Sequence, residues 1–115
     1  MSDIPESVRE ALDSLRGLGG DSLVRQMVAV FIDYSDGRIT TLQSAVAAGD
    51  LAGVATAAHT LKGSSRQLGL AALADSCQAV EQASKNGDAD AVRALAPAVR
   101  ETFTLATAWL KAATA

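Results

Sequence analysis

The only histidine in this chain of 115 residues, His59, is followed by a lysine three positions on, Lys62, and a glycine four positions on, Gly63. On a helix, residues at i+3 and i+4 lie beside residue i. A neutral imidazole nitrogen can attack phosphorus, and a histidine at its ordinary pKa is largely neutral near pH 7. Lys62 would then offer a point charge to the oxygens of a group being transferred. Gly63 would leave bare backbone where a side chain would obstruct an approaching partner. A glycine inside a helix costs about 1 kcal/mol relative to alanine, so its presence asks for a reason. Phosphoryl transfer is mostly positioning and electrostatic stabilisation, and an accessible nucleophile beside a cation is enough for a carrier.

Other chemistries are excluded by counting. One His and one Cys cannot build a structural zinc site of the usual four ligands. No serine sits in a Gly-x-Ser-x-Gly elbow. Gly17-Leu18-Gly19-Gly20 matches neither a dinucleotide fingerprint nor a phosphate loop and reads as a turn between helices. With no nucleotide site in the sequence, a phosphoryl group has to arrive on another protein. The net charge of −3 argues against nucleic acid, and no run of Lys and Arg marks an anionic membrane surface. The start, Met1-Ser2-Asp3-Ile4-Pro5-Glu6, is acidic and does not resemble a signal peptide. Arg100, Glu101 and Lys111 interrupt the most apolar C-terminal stretch, well short of a membrane span. A lone Cys77, expected to be a small buried residue, suits a reducing compartment, and the expectation is a cytoplasmic protein.

The elements that must position these residues are helices. Apolar residues make up 49% of the chain and aromatics only 3%, with Ala and Leu dominant and two prolines, which predicts an all-α fold. Pro5 suits a first helical turn, and a short helix to about Arg16 carries Val8, Leu12 and Leu15 on one side. After the glycine-rich turn, with Asp21 as cap, Leu23, Met27, Val30, Phe31 and Tyr34 continue through Leu42, Ala45 and Val46 as the inner face of one long helix to about Ala48. Ser35-Asp36-Gly37 is its weak point, where a bend is expected. Gly49-Asp50 stops one helix and caps the next, over about 51–68, with Leu51, Val54, Ala58, Leu61, Ser65 and Leu68 inward. A helix over about 70–85 buries Leu73, Cys77 and Val80, with Ala83 or Ser84, and Asn86-Gly87-Asp88 ends it. The last helix carries Val92, Leu95, Val99, Phe103, Ala106 and Leu110, and Pro97 either kinks it or marks its start. Phe31, Phe103 and Trp109 fall at core or near-core spacings. Short turns make neighbours antiparallel. The prediction is one domain over residues 1–115, an antiparallel four-helix bundle with a short additional N-terminal helix over one end.

At 100° per residue, His59 projects about 130° from the centre of its helix's apolar stripe, into solvent. Ala52, Ala55, Thr56, Gly63, Arg66 and Gln67 share or flank that outer face, with Lys62 at its edge, and these small or polar positions are the expected docking surface for a partner. Leu12, Leu15 and the turn of the second helix are a further apolar candidate.

The stretch Ala58-His59-Thr60-Leu61-Lys62-Gly63-Ser64-Ser65, then Gln67-Leu68-Gly69 and Leu73, closely resembles the histidine phosphotransfer (HPt) domain. Gly49-Asp50 before the histidine helix, Val80-Glu81 late in the next, and Gly87-Asp88 extend the likeness over nearly the whole chain. The resemblance implies that His59 is the phosphoacceptor, that Lys62 steadies the phosphoryl oxygens, and that Gly63 opens the docking surface. Ser64 and Ser65 match the small residues that follow the glycine. Arg66 departs from the pattern, which is often small there; it tunes partner choice or is simply a solvated cation. Such domains shuttle phosphoryl groups between receiver-domain aspartates, so the implied partners are the receivers of a hybrid histidine kinase and of a response regulator. The receiver would bring Mg²⁺, and the carrier itself, expected to be a monomer, would need no metal or ATP and would have no kinase activity. Two other readings stay open: a receiver-binding module that never accepts phosphate, and a phosphoacceptor domain belonging to a larger histidine kinase.

Overall fold

The computed structural model describes residues 4–115; Met1, Ser2 and Asp3, at the acidic start read above as no leader, lie outside the described residues. Every element is helical: α1 (Glu6–Ala48), α2 (Leu51–Gln67), α3 (Ala71–Lys85), α4 (Ala89–Leu95) and α5 (Pro97–Ala113). α1 is two helical limbs meeting at a kink, because Gly19 (φ −151°, ψ 16°) and Gly20 (φ 71°, ψ −170°) leave helical geometry. The Gly20 conformation is open to glycine alone, which is why the glycine-rich run breaks the helix there. Asp21 does not act through a cap: Arg16 Nε donates to its carboxylate at 2.7 Å. No bend occurs at Ser35-Asp36-Gly37, where Ser35 is buried and Arg100 of α5 holds Asp36 at 2.5 Å.

The turns follow the capping chemistry of the sequence. Asp50 accepts a hydrogen bond from the Gly53 N–H at 3.0 Å, and Asp88 accepts one from the Ala91 N–H at 3.0 Å. Pro97 stands in the first turn of α5, so it starts the final helix, and its missing N–H removes a bond that α4 would otherwise accept. The short α4 and α5 together make the fourth column of the bundle. The long limb of α1 packs on α2 and α5, α2 packs most extensively on α3, and α3 meets α4 and α5. The first limb of α1 lies over the α2–α3 turn, with Ser7 Oγ donating to the Gly69 carbonyl at 2.6 Å. Gly69 is at φ +70° against the Ser7 backbone, a contact that a Cβ would not allow.

The core includes Leu42, Val54, Leu61, Leu73, Val80 and Leu110, all shut from solvent or nearly so. Burying each such leucine is worth about 1.5–3 kcal/mol, enough to fix the rotation of α2 about its axis. The inner face of α1 departs from the sequence expectation. Val24, Val28, Phe31, Ser35, Ile39, Leu42 and Ala45 are buried, whereas Met27, Val30 and Tyr34 are exposed on a second apolar stripe. Leu95, expected to be inward, is also exposed, because α4 ends there and the chain re-enters the core at Ala96 and Val99. Leu12 is buried on the inner side of the first limb and offers nothing to a partner.

Candidate functional site

Val54, Ala57, Ala58, Leu61 and Ser65 turn the inner face of α2 into the core, which leaves His59 pointing outward from mid-helix with its side chain 68% exposed. The ring is nonetheless fixed. Its Nδ1 lies 2.9 Å from Glu81 Oε2 on α3. Glu81 is buried, its side chain 3% exposed, and its other oxygen accepts from Lys62 Nζ at 2.5 Å. Lys85 Nζ, one turn further along α3, lies 3.0 Å from Oε2, the oxygen that also faces the histidine. Burial alone would raise the pKa of this carboxyl, but hydrogen bonds from Lys62, Lys85 and His59 outweigh it and bring it down to about 2. An ionised carboxylate can only accept, so the proton between the two residues belongs to the imidazole. Nδ1 is therefore the protonated nitrogen at Glu81, and in the neutral ring the lone pair is on Nε2.

Lys62 is 13% exposed and spans the α2–α3 seam, where Nζ donates to Gln78 Oε1 at 2.8 Å as well as to Glu81. Two of its three N–H bonds are thus spent on the protein. Gly63 is exposed, and open space surrounds the position a Cβ would take. Ala52, Thr56, Arg66 and Gln67 are exposed and Ala55 half-buried, so the outer face of α2 is as the helical projection places it. The Thr56 and Thr60 hydroxyls donate to carbonyls one turn back, at 3.0 and 3.1 Å. Arg66 makes no ion pair among the described residues. Ser65 is buried and bonds the Leu61 carbonyl at 2.7 Å, a packing residue.

An open hollow of about 340 Å³ at the ring is lined by Ala55, Thr56, His59, Thr60, Glu81 and Lys85. A second hollow, of about 350 Å³, lies between α1 and α2, where Leu15, Met27, Val30 and Tyr34 face Ser64 and Gln67. His59, Gly63 and Gln67 form one row at i, i+4 and i+8, so bare backbone leads from the ring to this apolar hollow.

Sequence reading gave Glu81, Lys85 and Gln78 no role in the site. A signal was present: Glu81 stands four residues after the buried Cys77 at the edge of an apolar stripe, and a carboxylate there needs cations. Cys77 is buried as expected. Burial, then the charge of Glu81, push its thiol up to about 12 against the opposing effect of Lys62, so it stays protonated. Among the described residues no three His, Cys, Asp or Glu side chains are grouped so as to hold a metal ion, and no helix is long and apolar enough to cross a membrane.

A family model described as the Hpt domain matches residues 26–109. The fold is also similar to solved structures. Histidine-containing phosphotransfer protein B of Pseudomonas aeruginosa PAO1 is 26% identical, with TM-score 0.85 over 91% of this chain and 90% of that one. A histidine-containing phosphotransfer protein of maize is 24% identical, with TM-score 0.82 over 95% of this chain and 80% of that one, a likeness of fold. No curated protein matches the sequence.

Proposed function

The chain belongs to the Hpt domain family, and on that premise we propose that it is a phosphocarrier whose His59 takes a phosphoryl group from the aspartate of one receiver domain and yields it to the aspartate of another. The observation that carries this reading is an exposed imidazole whose Nδ1 is held by a buried, ionised carboxylate, which leaves Nε2 as the nitrogen free to react. In the step itself, the Nε2 lone pair forms a bond to phosphorus as the bond from phosphorus to the aspartyl oxygen breaks and the carboxylate leaves. No proton has to move. The ring gains positive charge, which Glu81 Oε2 meets across the Nδ1–H bond, and in the return step a neutral imidazole leaves.

Lys62 supports this from its seat on Glu81: it keeps the carboxylate ionised and adds positive charge at the flank of the site. Gly63 gives the receiver a clear approach, and Ala52, Ala55, Thr56, Arg66 and Gln67 form the docking face with the apolar hollow beyond them. The receivers are those of a hybrid histidine kinase and of a response regulator, and they bring the Mg²⁺. The carrier acts as one domain, as a monomer in the cytoplasm, without nucleotide binding or kinase activity of its own.

Incubation with the phosphorylated receivers of the source organism tests this. At least one receiver should transfer a label that is acid-labile and base-stable, and His59→Gln should fold normally and take none. Labelling retained by His59→Gln would mean another acceptor. Failure of every receiver to label the wild type, alongside binding indifferent to His59→Ala, would replace the carrier with a receiver-binding module that accepts no phosphate.

A further inference from the structure

Two lysines touch Glu81, and they are not equivalent. Lys62 is nearly enclosed, and Gln78 and Glu81 take two of its three donors. It is also not among the residues that line the hollow at the ring. Lys85 lines that hollow together with His59, has its side chain 60% exposed, and among the described residues pairs with Glu81 alone. It shares oxygen Oε2 with the ring nitrogen, so its ammonium lies within the length of two hydrogen bonds of the imidazole.

We propose that Lys85, rather than Lys62, is the cation that closes on the phosphoryl oxygens once His59 carries them, giving up Glu81 Oε2 to do so. A phosphoryl group brings a charge of about −1.5 to −2 at neutral pH into this hollow. At the same moment the ring becomes cationic and claims Oε2 more strongly through Nδ1–H. Lys85 is released by the one change and attracted by the other. Lys85 is the exposed partner of this pair, and the positive charge the ring acquires takes its place at Oε2, so the buried carboxylate stays compensated during the exchange. Lys62 stays on Oε1 throughout and keeps Glu81 an anion. The two cations divide the work: one holds the carboxylate, the other follows the phosphate. This rests on His59 being the acceptor, and the test separates the two ideas.

The full chain is labelled with phosphoramidate, with no receiver present, and the second ionisation of the phosphohistidine is followed by ³¹P chemical shift. A cation beside the phosphoryl group lowers that midpoint. Lys85→Gln should raise it by roughly half a unit, and should slow labelling roughly two- to five-fold. Lys85→Arg should restore both. Lys62→Gln, or Lys62→Met if the first is poorly folded, should move the midpoint by less than Lys85→Gln does. A midpoint unmoved in Lys85→Gln but raised in Lys62→Gln would overturn the assignment while leaving the carrier reading intact. A wild type that takes no label at His59 would overturn both.

Discussion

A carboxylate that is 3% exposed and still ionised has to be held by cations, and Glu81 is held by two, with the histidine as a third donor. Its pKa of about 2 lies below the value near 4.3 of an unfolded chain, so its contribution to stability is complete above the higher value and is lost as pH falls toward the lower. Thermal unfolding followed from pH 5 to pH 2 should show the wild type losing stability more steeply than Glu81→Gln. At pH 7 the variant should be less stable by about 2 kcal/mol, because Lys62 loses its counter-charge while remaining mostly buried. Parallel curves would mean that the carboxylate is not ionised in the folded protein. His59, Lys62 and Gly63 were legible because they lie within five residues on one helix. Glu81 was harder to see: it reaches His59 across 22 residues and from another element, and periodicity marks only the edge of its stripe.

At the scale of the element, α2 carries a glycine whose cost can be measured. Nothing surrounds the space where a Gly63 side chain would begin. Gly63→Ala should therefore stabilise the fold by about 0.5–1 kcal/mol in denaturant titrations, while slowing transfer from a receiver. A gain in stability with unchanged transfer would remove the access role and leave the glycine unexplained. The starts of α2 and α4 and their caps could be read from the sequence because Gly49-Asp50 and Gly87-Asp88 combine a terminator with an N-cap, whereas Gly20-Asp21 has the same pattern and yields a kink without a cap. Pro97 could not be resolved, since a missing N–H fits a helix start and a kink equally well. α1 has two apolar stripes, one through Phe31 and Leu42 and one through Met27, Val30 and Tyr34, and spacing alone cannot say which faces inward.

For the molecule as a whole, the second stripe on α1 leaves an apolar surface next to the proposed docking face. Val30 is 65% exposed beside the hollow that Gln67 joins to the histidine row. Val30→Asp should change stability by under about 0.5 kcal/mol. It should also leave phosphoramidate labelling untouched and cut receiver-driven transfer by roughly tenfold. Equal transfer by both proteins would place the receiver elsewhere. Because the bundle contains one histidine, the central claim has a direct readout: the ³¹P–¹⁵N coupling in uniformly ¹⁵N-labelled protein after reaction with a phosphorylated receiver. The expected spectrum shows phosphorus bonded to Nε2 of His59, with Nδ1 still protonated. Phosphorus on Nδ1, or on no nitrogen at all, would contradict it.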